Sequence, residues 1–186
     1  MLLPLFVSLL PVLFLAGLIL KARALRRRNI DMDGEPPISK ALFVSSKYAI
    51  VIVWGVMVVQ SWGVDLSFVD VPGPARRLSV GLWTLGFALL FAGRSVLGDS
   101  FRIGSPREST GLQQTGLYRF SRNPMYVGVY ATLGAAVVRT FNPLLLLAAV
   151  YVIAVHHRIV LAEEEQLRRA LGEQYRAYCS RVRRYV

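Results

Sequence analysis

The chain has 186 residues, enough for one domain, of which 54% are hydrophobic and 18% charged. Water-soluble domains carry roughly 25% charged residues, so this composition, with a mean hydropathy of +0.47, excludes an ordinary soluble globule. A net charge of +11 in a soluble protein suggests nucleic acid. In a membrane protein, basic loops facing anionic lipid head groups account for it, and no nucleic-acid partner is expected.

Uncharged blocks recur along the chain, with the two histidines counted as neutral. They predict an all-α, polytopic membrane protein with about five transmembrane helices, over residues 2–20, 43–60, 78–97, 124–138 and 143–158. The first block has no basic region before it and no small-residue cleavage site, and its positive charges follow it. It reads as a retained helix rather than a signal peptide. The fourth block is short, and Asn142-Pro143 predicts a tight turn from it into the fifth. With the N-terminus outside and five crossings, nineteen Lys and Arg fall on one side, and only Arg76, Arg77 and Arg139 on the other. That split predicts a cytoplasmic C-terminus, in a cell inner membrane. Nothing in the sequence fixes an oligomeric state.

The polar sequence forms three parts on the basic side. A linker over 21–42, with Asp31, Asp33, Gly34, Pro36 and Pro37, reads as irregular. A loop covers 98–123, with Asp99 the one further acid near the third span. A tail over 159–186 carries Val160, Leu167, Leu171, Tyr175, Tyr178 and Val182 mostly at steps of three or four, which predicts a cytoplasmic amphipathic helix that Gly172 breaks in two. The single cysteine, Cys179, excludes an internal disulfide and a cysteine metal site. His156 and His157 are about 100° apart on a helix and do not share a metal easily, so no metal is expected. They read most simply as a polar helix end.

Two clusters can carry chemistry. The first runs from Gly116 to Gly128 and reads G-x-Y-R-x-x-R-N-P-M-Y-x-G. Pro124 suits the first position of a helix and holds Asn123 extended. The basic loop and the free N–H groups of that helix end then suit an anionic group near Arg122. The second is Glu163-Glu164-Glu165, at the end of the fifth span. It is either a salt-bridge network with the surrounding arginines or a site where one or two carboxylates meet a cation. Helical geometry keeps the three from facing one way. Glu163 and Glu164 are expected to face a pocket and Glu165 to face water.

These clusters, together with Leu97 to Arg102 and the L-G-x-x-Y-x-x-Y run from Leu171 to Tyr178, resemble the superfamily of isoprenylcysteine carboxyl and phospholipid methyltransferases. The likeness covers about residues 91–185 and divides the chain into two N-terminal spans with their linker, 1–77, and a cofactor-binding core, 78–186. It implies a membrane enzyme that uses S-adenosylmethionine in a pocket at the cytoplasmic face and acts on a membrane lipid or lipid-linked acceptor. By position, the resemblance assigns Gln113 and Gln114 to backbone-type contacts and Tyr118 to covering the cofactor. Asn123, Pro124, Met125 and Tyr126 wrap its amino-acid end, Glu163 and Glu164 meet its ammonium or ribose, and Ala92 and Gly93 supply a small-residue stretch. Many members have His at the place of Asn123. Arg158 stands near the place of an arginine that holds a substrate carboxylate, and Glu164 or His157 is the available proton acceptor for an amine nucleophile. The rival readings are an NADPH-dependent sterol-type reductase, which the Glu163-Glu164 pair disfavours, and a non-catalytic membrane scaffold.

Overall fold

A computed structural model describes residues 2–27, 38–97 and 112–186. Asp99, the Gly98–Arg102 part of the resemblance and residues 28–37 of the linker fall outside the described residues, whereas residues 21–26 and 40–42, expected to belong to that irregular linker, are helical. Five α-helices follow in order: α1 (Leu2–Arg26), α2 (Lys40–Ser61), α3 (Gly73–Leu97), α4 (Pro124–Thr140) and α5 (Pro143–Arg181). A 3-10 turn, Gly116–Arg119, precedes α4.

Helices α1, α2, α3 and α5 are long and apolar enough to cross a membrane, which makes this an integral membrane protein. The expected fifth span, α4, has 17 residues. At 1.5 Å per residue it reaches about 26 Å, short of the roughly 30 Å of hydrocarbon. It is packed against α2, α3 and α5. The turn after it forms as the sequence predicts. Phe141 is left-handed, with φ 43°, and Asn142 caps α5 by accepting from the Leu144 amide at 2.9 Å.

The expected separate tail helix is instead a continuation of α5, which runs 39 residues from Pro143 to Arg181. No Pro or Gly lies between Pro143 and Gly172, and the Glu165–Arg169 pair at i, i+4 supports the exposed face there. Only at Gly172, with φ 49° and ψ −120°, does the backbone leave the helical region.

Two devices bind the spans together. Pro11 within α1 has no N–H for the Val7 carbonyl, and the Trp83 indole of α3 donates to that carbonyl at 3.1 Å. Where α3 crosses α4, a Cβ added to Gly86 or Gly128 would lie 2.7 Å from the other's carbonyl oxygen, so only glycine permits this approach. Around the crossing, Phe14, Trp54, Trp83 and Phe87 pack edge to face, the Trp54–Phe87 pair tilted at 52°, with centroids 4.9–6.3 Å apart. Trp54 also donates to the Thr132 hydroxyl at 2.9 Å. This aromatic block closes the bundle beneath a cavity.

Candidate active site: a cavity at the basic end of the bundle

The cavity holds about 520 Å³, within the roughly 300–1,000 Å³ of small-molecule sites. The C-terminal halves of α1 and α3, the N-terminal halves of α2 and α4 and the middle of α5 supply its walls. Successive helices alternate in direction, so these segments all lie at one end of the bundle. Arg122 and the Glu164 partners Arg168 and Arg184 also lie at this end.

The deep part is apolar, lined by Phe14, Leu18, Ile50, Trp54, Leu90 and Val129. The mouth is polar, and its charges are sorted. Glu163 lines the cavity and accepts from the Tyr126 hydroxyl, at 3.3 Å to each carboxylate oxygen. No ion pair to Glu163 occurs among the described residues. Burial pushes its carboxyl up to about 8, against a smaller opposing effect of the Tyr126 hydrogen bond.

Glu164, 2% exposed, behaves differently. Arg184 grips it with two hydrogen bonds of 3.0 Å, Arg122 lies at 3.3 Å and Arg168 at 3.7 Å. Three guanidinium groups around one carboxylate leave a surplus of positive charge. Part of it points at the cavity through Arg122, whose Nη1 donates to the Cys179 sulfur and whose buried Nε has no partner among the described residues.

Arg184 reaches Glu164 because the chain end, residues 182–186, folds back as a strap. The Arg122 amide donates to the Arg183 carbonyl at 2.9 Å, and the Asn123 side chain donates to the Arg184 carbonyl at 3.1 Å. On the other flank Tyr118 sits on the 3-10 turn, 8% exposed, its carbonyl accepting from the Tyr178 hydroxyl at 2.6 Å. Burial raises its phenol well above the usual tyrosine range.

Residues 75–174 match the phospholipid methyltransferase family. The chain belongs to that family. Neither a curated protein nor a solved structure matches the chain. The matched segment begins at the start of α3 and holds Arg122, Glu163 and Glu164 of the mouth, while Tyr175, Tyr178, the strap and the α1–α2 wall lie outside it.

In this family member, the cavity brings together Gln113, Tyr118, Arg122, Asn123, Met125, Tyr126, Glu163 and Glu164 from the sequence-predicted set. Six others stand outside it. Gly93 backs onto Met125 as a packing glycine, with Ala92 beside it. Pro124 is buried as the first residue of α4, and the Gln114 side chain accepts from Arg181. Arg158 is exposed, and His157 turns away to the Tyr185 hydroxyl at 2.8 Å. Glu165 is exposed and pairs with Arg168 and Arg169.

The sequence reading missed His156, Tyr175, Tyr178 and the α1–α2 wall, which all line the cavity. His156 had a usable signal. It lies two helical turns before Glu163, on the same face, whereas His157 does not.

Proposed function

We propose that this protein transfers a methyl group from S-adenosylmethionine to an amine carried by a membrane phospholipid. The observation that carries the reading is the sorted charge at the mouth of an otherwise apolar cavity. An α-amino acid end needs a cation for its carboxylate and an anion for its ammonium, side by side. Among the described residues, Arg122, with an unpartnered Nε and surplus charge around it, suits the first, and Glu163, without an ion pair, suits the second. Tyr118 and Tyr126 offer ring faces beside a sulfonium.

When bound, S-adenosylmethionine supplies an activated methyl on a sulfonium. The rest is work for the chain. Tyr126 orients the Glu163 carboxylate, Arg184 and Arg168 hold Glu164 so that it in turn fixes Arg122, and the strap fixes the loop before α4. The apolar depth excludes water, so rate comes from alignment and desolvation. The cofactor enters from the basic side, read as cytoplasmic, with the N-terminus outside.

Titration calorimetry in detergent tests the cofactor. S-adenosylhomocysteine is expected to bind and NADPH not. Binding of NADPH alone establishes the reductase reading instead, and binding of neither establishes the scaffold.

A further inference from the structure

Among the described residues, His156 is a buried titratable group of the cavity to which the proposed cofactor binding gives no task. Its side chain is 7% exposed and lines the space, and its Nδ1 has no hydrogen-bond partner among the described residues. A buried imidazole nitrogen without a partner carries a desolvation cost that an apolar residue there would avoid. The Tyr126 ring meets it edge-on at 5.2 Å, and the Tyr130 ring lies at 6.4 Å. These rings orient the imidazole without saturating it. The titratable groups around it are Tyr126 and Tyr130 on α4, Tyr185 of the strap against Tyr130, Glu163 farther along α5, and Lys47 on the α2 wall.

Its depth matches the chemistry. Seven residues of helix separate His156 from Glu163, roughly 10 Å along α5. From an ammonium held at Glu163 to the sulfonium is four covalent bonds of about 1.5 Å, spanning about 5 Å. The S–CH3 bond and a methyl-to-nitrogen approach of about 3–3.5 Å add about 5 Å beyond that. With the amino-acid end laid along α5 from Glu163, the attacking atom would be level with His156, beside the apolar walls of Ile50, Trp54 and Val129.

We infer that His156 is the proton acceptor for a lipid amine in this cavity. The inference rests on the proposed methyl transfer and adds the group that frees the nucleophile. A primary amine arrives as an ammonium and has no lone pair to attack with. His156 takes one proton from it, and the freed pair forms the new N–C bond. The C–S bond breaks with its electrons remaining on sulfur. The imidazolium then gives its proton to water, so each transfer releases one proton overall. A carboxylate or thiolate acceptor needs no such group.

The test compares wild type with His156→Gln, both in phosphatidylethanolamine-containing vesicles with S-adenosylmethionine, and titrates both with S-adenosylhomocysteine. The variant is expected to keep its S-adenosylhomocysteine affinity within about twofold and to lose at least about 100-fold in kcat at neutral pH, the scale of general-base catalysis. Its residual rate should climb about tenfold per pH unit while the amine deprotonates itself, as wild type levels off. Wild-type kcat in the variant overturns the inference. A wild type that binds S-adenosylhomocysteine but methylates no amine overturns the inference and leaves the cofactor assignment standing. A wild type that binds none overturns the methyltransferase reading itself. If the variant fails to bind, the wild-type profile decides: kcat at saturating cofactor should fall with unit slope on the acid side, and a level profile overturns the assignment.

Discussion

Glu163 and Glu164 are adjacent and chemically identical, yet the fold gives them opposite tasks. Glu163 sits in the cavity with a raised pKa of about 8, so it is largely neutral at pH 7 until a cation arrives. Binding an ammonium favours the carboxylate and releases a proton. S-adenosylhomocysteine affinity is therefore expected to rise as pH increases from 6 toward 8 and then to level off. Glu163→Gln should flatten that dependence and weaken binding at least about tenfold at pH 8, measurable by calorimetry. For folding the sign is opposite. A carboxyl raised from 4.5 to about 8 stabilises the free protein below the lower value, and this stability is lost as pH rises through the upper one. Glu164 is structural, because removing its charge strands the Arg122 and Arg184 guanidinium groups. Glu164→Gln is expected to cost about 3–5 kcal/mol, read as a lower thermal midpoint in detergent. The acidic cluster and its pocket-facing pair were legible from helical spacing. The division of labour was not, since Arg184 lies twenty residues on and no local pattern links it to Glu164.

The elements show what packing adds to hydropathy. Apolar run length located α1, α2 and α3 and the Asn142-Pro143 turn, and the N–P pair placed the start of α4. Run length misplaced the boundary within α5, because hydropathy falls at Glu163 while the helix continues to Gly172. It was also silent on the strap, whose contacts are backbone hydrogen bonds and one bidentate ion pair rather than a periodic pattern. Removing residues 182–186 should lower the thermal midpoint and weaken S-adenosylhomocysteine binding together, because Arg122 loses its support. The α3–α4 crossing is as strict. Gly128→Val adds a Cβ 2.7 Å from the Gly86 carbonyl and 3.1 Å from Leu89 and Leu90. It should destabilise by about 1–3 kcal/mol, measured by thermal unfolding, even though the position touches no charged group of the site.

For the whole molecule, the alternating direction of the helices brings the charged groups of the mouth, among them Arg122, Glu163, Glu164 and Arg184, to one end of the bundle. The apolar depth is built partly by α1 and α2, outside the matched family segment. Charge counting in the sequence anticipates a basic side, and a C-terminal reporter tests it. The apolar depth depends on which faces of α1 and α2 turn inward, and both helices are apolar nearly all round. A reporter fused to the C-terminus is expected to be active only in the cytoplasm, and external activity would place the mouth on the wrong side for a cytoplasmic cofactor. The central claim is methyl transfer from S-adenosylmethionine to a phospholipid amine. It is tested most directly by incubating the purified protein with cofactor carrying a deuterated methyl group and a total lipid extract, followed by mass spectrometry of the lipids. The account predicts label on the amine head group of a phospholipid and, at subsaturating cofactor, about tenfold less when Glu163 is replaced by Gln. Label confined to a prenylated cysteine, or absent from every lipid, would contradict it.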